Sequence, residues 1–172
     1  MSEVNSQALD IYITGLRNQH AVENQAVELL QRQVDRLESY PEMSERIRQH
    51  IVESQEQARR LEELLAQFNT SHSSFKDTVA SIMGNVAALA HSATSDEVIK
   101  NTFANYAFEH FEIAADKSLL SLTDTVGQSA AKSVLNQSLR EEVAMAEWID
   151  QHIGPTTLRF VQLSAAGVKA KV

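Results

Sequence analysis

Near the start of the chain, Leu9, Tyr12, Ile13, Leu16, Val27, Leu30, Val34 and Leu37 recur three and four residues apart, the spacing that lines one face of an α-helix. The pattern predicts a long helix over 6–39 with Ser6 as its N-cap. Ser39-Tyr40-Pro41-Glu42 then sets a capping serine three residues before a glutamate, with proline in the first turn, a signature that closes one helix and opens the next. Met43, Ile47, Ile51, Leu61, Leu64, Leu65 and Phe68 carry that second helix over 41–68. Polar residues 69–74 interrupt the chain before a shorter apolar rhythm predicts a helix over 75–90. A third long helix is expected over 95–126, ended by Gly127, and a fourth over 129–153, capped by Ser129 and stopped by Gly154-Pro155. A short helix over 157–165 and a frayed tail, 167–172, complete the chain. Two long antiparallel hairpins joined by a connection with its own helix make an all-α, ferritin-like four-helix bundle in a single domain.

Composition agrees with that layout. The 172 residues include only five glycines and two prolines, and 43% are hydrophobic, the usage of a helix-rich domain with a full core. A net charge of -8 repels nucleic-acid phosphates and anionic membranes, so neither is the expected partner. Arg59-Arg60 sits among Glu56, Glu62 and Glu63 and reads as a mixed helix face rather than a phosphate-binding patch. With no cysteine, disulfides, thiolate metal sites and cysteine nucleophiles are excluded. The first residues lack a basic and apolar leader, and no run approaches the roughly eighteen apolar residues of a membrane span, so a cytoplasmic location is expected.

The apolar stripes are broken near mid-length by charged residues. In the first helix the seam passes through His20 and Glu23, in the second through His50, Glu53 or Ser54, and Gln57 or Ala58, and in the fourth through Glu142. The third helix carries two adjacent stripes: Ile99, Phe103, Tyr106, His110, Ile113 and Leu120, and beside it Val98, Thr102, Glu109, Glu112 and Leu119. Glu109 and Glu112 therefore lie on the seam or at its edge. Residues equidistant from a tight antiparallel turn face each other, and Glu23 and Glu53 have their midpoint at residue 38, Glu112 and Glu142 at residue 127. The two hairpins read as copies of one unit, with His20 matching Glu109 and His50 matching Leu139. Buried carboxylates that converge need a cation or protons, because an isolated buried charge costs on the order of several kcal/mol. Oxygen donors with a few imidazoles suit iron, manganese or zinc. His110 points off the Glu109 and Glu112 line and reads as packing; a histidine satisfied inside the core is the plain reading of His20.

The segments Asn18 to Gln25 (NQHAVENQ), His50 to Gln57 (HIVESQEQ), Phe108 to Ala114 (FEHFEIA) and Leu139 to Glu142 (LREE) together resemble the YciE/YciF group of bacterial stress-associated, ferritin-like proteins. The resemblance runs from the start of the chain to about His152. It implies a rubrerythrin-like bundle, a two-metal carboxylate site, dimerisation and a role under stress, but no defined reaction. The wider di-iron pattern places Glu-x-x-His on the second and fourth helices, whereas this chain has Glu53-Ser54-Gln55-Glu56 and Glu142-Val143-Ala144-Met145. The expected ligand core is Glu23, Glu53, Glu112 and Glu142, with Glu109 and His50 as additional ligands or as supports, around two divalent ions of iron or manganese, or else zinc. The expected function is a stress protein that handles oxygen or peroxide. A metal-free bundle with a structural or interaction role is the alternative, and a DNA-coating iron store is disfavoured by the acidic charge.

Overall fold

The computed structural model describes residues 3–68 and 95–170, and the helix expected over 75–90 lies outside them. Four helices appear among the described residues: α1 (Glu3–Val34), α2 (Pro41–Ala66), α3 (Glu97–Leu122) and α4 (Ala131–Ala165). Contacts run α1 to α2, α3 to α4, α1 to α3 and α2 to α4. Gln33 on α1 exchanges two side-chain hydrogen bonds with Asn105 on α3, at 3.1 and 2.8 Å, while Gly15 faces Leu119, so α1 and α3 are antiparallel. Arg60 meets Glu141, and Met43 shares a cluster with Ile149, which makes α2 and α4 antiparallel too. The all-α bundle expected from the apolar rhythm is the fold observed, and none of its described helices is long and apolar enough to cross a membrane.

The interior has three layers along the bundle axis. Leu30, Val34, Leu37, Met43, Ile47, Val98, Met145 and Ile149 fill the end beside the α1–α2 turn. Tyr12, Leu16, Leu61, Leu65, Leu119 and Leu135 fill the other end. Between them lies a slab of buried polar side chains: Gln19, Glu23, His50, Ser54, Gln57, Glu109, Glu112, Asp116 and Glu142. Apolar burial at both ends supplies the stabilisation that lets the middle carry unfavourable polar burial.

The ends of the helices differ from expectation. Ser6 lies inside α1, Ser39 donates its hydroxyl to the Lys169 carbonyl, and Ser129 donates to Asp124, so none of the three caps a helix. Pro41 does occupy the first turn of α2. Gly127 has φ 72°, and the amides of Gln128 and Gly127 return to the carbonyls of Thr123 and Asp124, the paired closure of a Schellman turn that favours glycine.

The largest difference is α4, which continues through Gly154 and Pro155 to Ala165 instead of stopping and restarting. An interior proline costs about 3 kcal/mol. Here Leu163 is buried and Phe160 and Ile153 pack against the core at the α1–α2 turn, and the Thr157 hydroxyl donates to the Ile153 carbonyl at 2.8 Å. That packing holds the helix together. The tail is not frayed as far as it is described: Tyr40 donates its hydroxyl to the Ala170 carbonyl at 2.6 Å, and Ala170 is buried.

Candidate metal centre

Each helix places its polar residues on the core side by one-turn spacing. On α3 the inward stripe is Val98, Thr102, Glu109, Glu112, Asp116 and Leu119, so the second of the two sequence stripes faces the interior. Phe103 and His110 face outward, and His110 packs edge-to-face on Tyr106 at 4.6 Å. On α2 the inward residues are His50, Ser54 and Gln57, and on α4 Ser138, Glu142 and Met145.

His50, Glu109, Glu112 and Glu142 each offer one donor atom, and the four donors lie within 4.8 Å of one another with all four residues buried. His50 Nε2 is 3.1 Å from Glu109 Oε2 and 3.7 Å from Glu142 Oε2. The first is an ion-pair contact, while both oxygens of Glu112 and Oε2 of Glu142 find no hydrogen-bond partner among the described residues. Unpartnered acceptors at this depth are costly unless a cation or protons meet them. One imidazole and three carboxylates suit a divalent first-row ion such as manganese, iron or zinc, so the donor set fits a metal on the chemistry of its own atoms.

Glu53 stands outside this cluster. It accepts from His50 Nδ1 at 3.0 Å, from Arg46 at 3.0 Å and from Gln49 at 2.9 Å. Although partial burial acts to raise its pKa, His50 and Arg46 hold it down at about 2. A carboxylate bonded to the far nitrogen of a histidine fixes ring and tautomer and leaves the near nitrogen for a ligand. Glu23 is fully buried beside the cluster and accepts from Gln19 at 2.8 Å, with its second oxygen unpartnered among the described residues. His20 bonds Glu62 on α2 at 2.9 Å and is not a member.

Burial explains why Glu53 differs from its expected role. The buried positions of α2 and α4 match as Ile47 with Leu135, His50 with Ser138, Ser54 with Glu142, Gln57 with Met145, and Leu61 with Ile149. Glu142 therefore corresponds in position along its helix to Ser54, not Glu53, and one residue is a rotation of about 100° away from the interior. In α2 the places of a Glu-x-x-His motif are taken by Ser54 and Gln57, and Gln57 donates its amide to Glu142 across the bundle.

Electrostatics follow from burial. Glu112 and Glu142 are pushed well above the usual carboxylate range, first by loss of water and then by their acidic neighbours. Glu23 is raised to about 8 by the same causes, with Gln19 acting against them. His50 loses water as well, which opposes its charge, but Glu109, Glu53 and Glu142 outweigh this and hold it protonated well above its ordinary value. Asp116, one turn beyond Glu112, is buried and raised to about 7 by desolvation and by Glu141. Gln57, one of the seam candidates of the second helix, is buried as expected there, whereas Asp116 is not singled out in the sequence; the signal that could have found it is its one-turn spacing from Glu112.

Residues 7–162 match the family described as a domain of unknown function, DUF892. A protein of Xanthomonas campestris has a similar structure, with 26% identity, a TM-score of 0.78, and coverage of 92% of this chain and 99% of that one. YcfI of Rhodopseudomonas palustris matches at 20% identity and TM-score 0.73, covering 87% and 97%. The Escherichia coli stress protein YciF matches at 21% identity and TM-score 0.73, covering 85% and 94%.

Proposed function

The chain belongs to the DUF892 family, and on that premise we propose that it is a metal-carboxylate protein binding one divalent iron or manganese ion between His50, Glu109, Glu112 and Glu142. The carrying observation is the convergence of four buried donors, from three helices, within 4.8 Å. The sequence leads one to expect two ions; one is proposed because Glu53 supports His50 from outside and Ser54 and Gln57 bring neutral groups to the opposite half.

A bound iron or manganese ion would supply one-electron exchange with oxygen or peroxide. His50, held by Glu53, presents Nε2 to the centre, and the apolar layers at either end keep bulk water from it. Loading the site requires protons to leave Nε2 of His50 and the raised carboxyls Glu112 and Glu142. Glu23 and Asp116, with pKa values of about 8 and about 7, are placed to take up or release protons near neutral pH as the charge of the centre changes. The fold shared with a protein named for stress is in keeping with a role under stress; oxidant handling, a cytoplasmic location and a homodimer are carried into the proposal from the family resemblance.

A second reading is favoured by the amides of Gln19 and Gln57, each of which covers one carboxylate oxygen: the slab stays protonated and metal-free, and the bundle is structural. Metal analysis after anaerobic loading with Fe²⁺ or Mn²⁺ separates the two. One ion per chain, lost in Glu142→Ala and His50→Ala, supports the metal protein. Substoichiometric metal that those variants leave unchanged supports the structural one.

A further inference from the structure

A groove of about 430 Å³ opens between α1 and α3 on the side of the bundle. Gly15 lets the helices close at its edge: a Cβ there would stand 2.8 Å from Leu119 Cδ2. Asp10, exposed, is the one ionised side chain among the described residues lining it, and Asn18 and Gln19 bring amides to its inner wall. Both amides have a buried carbonyl oxygen without a hydrogen-bond partner among the described residues, and Gln19 is only 1% exposed. The Gln19 Nε2 group donates to Glu23 at 2.8 Å, so a single side chain separates the groove from the carboxylate slab.

We propose that this groove is the cation entry route to the interior, with Asp10 collecting the ion at the mouth, the free carbonyl oxygens of Asn18 and Gln19 receiving it as water is stripped, and Gln19 acting as the gate. Passing inward needs Gln19 to release Glu23 and turn its carbonyl toward the ion. The donors along the path are all oxygens, which suits a divalent ion moving from water to carboxylate. The proposal rests on the metal-binding reading and adds its path.

The test follows uptake of Co²⁺ by the full chain through its visible absorption in stopped flow, with equilibrium dialysis in parallel. Ala115→Phe, which fills the groove without touching the ligand cluster, is expected to slow uptake by about tenfold or more while the amount bound at equilibrium stays the same. Ser118→Trp is a second filler should the first misfold. Asp10→Asn is expected to slow uptake at low salt only, since screening removes the attraction at high ionic strength. Gln19→Ala is expected to speed it. Unchanged rates in both fillers, with normal loading of the unmodified protein, would overturn the route and leave the metal site standing. No cobalt bound by the unmodified protein at equilibrium would overturn the site and the route together.

Discussion

Glu53 and His50, one turn apart on α2, are joined at 3.0 Å through the imidazole nitrogen that faces away from the cluster. Glu53→Ala is expected to weaken metal affinity by about 10–100-fold without changing the number of ions bound. Glu142→Ala should remove binding. Competition titration against a chelator measures both, and equal losses in the two variants would make Glu53 a ligand after all.

Stability without metal should fall as pH rises. Glu23 goes from its ordinary 4.5 to about 8 in the folded protein, and Asp116 from 3.8 to about 7. The folded state therefore binds more protons than the unfolded one between those values. The stability these groups contribute is full below about pH 4 and is lost as pH climbs through about 7 and 8. Thermal melts of chelated protein from pH 5 to 8 should show a declining Tm, flattened in Glu23→Gln and in Asp116→Asn. Metal-loaded protein should show the opposite trend, because protons are released on binding. A Tm of the chelated protein that rises across that range would contradict the assignment.

Restoring the missing half of the motif should change stoichiometry. Ser54→Glu combined with Gln57→His places a carboxylate and an imidazole at the positions that match Glu142 and Met145. Metal content is expected to rise from one ion per chain to two. If it stays at one, the neutral groups of α2 are not what limits the site.

Two glycines should respond in opposite directions. Gly127 sits at φ 72° in its turn, and Gly127→Ala is expected to cost about 1 kcal/mol. Gly154 lies inside α4, where an added Cβ would meet nothing within 4 Å, and Gly154→Ala is expected to stabilise by about 0.5–1 kcal/mol. Urea denaturation reads both changes.

The apolar rhythm is enough to read four long helices and their antiparallel pairing, because stripes at three-and-four spacing need a partner surface and short turns allow only one arrangement within each hairpin. It does not reveal that α4 runs through Gly154-Pro155, since the sequence shows the local cost of proline but not the packing of Phe160 and Leu163 that offsets it. At the centre, Glu23, Glu112 and Glu142 are legible as breaks in apolar seams and are buried together. The place of Glu53 is not. Counting from the turn fixes height along a helix but leaves its rotation open by a residue, and that residue decides between Glu53 at the rim and Ser54 inside. Gln57 is legible as a seam position but its role is not, for a different reason: only the partner across the bundle, Glu142, gives it one.

The reciprocal amide pair between Gln33 and Asn105 works as a vernier mark between the two hairpins. A slip of one turn would move α1 against α3 by about 5.4 Å, whereas the donors of the cluster lie within 4.8 Å of one another. Sliding by a single notch would carry His50, on one hairpin, out of reach of Glu109, Glu112 and Glu142 on the other. Two uncharged side chains, the second of them one turn along α3 from Glu109, thus help to hold the register on which the coordination sphere depends.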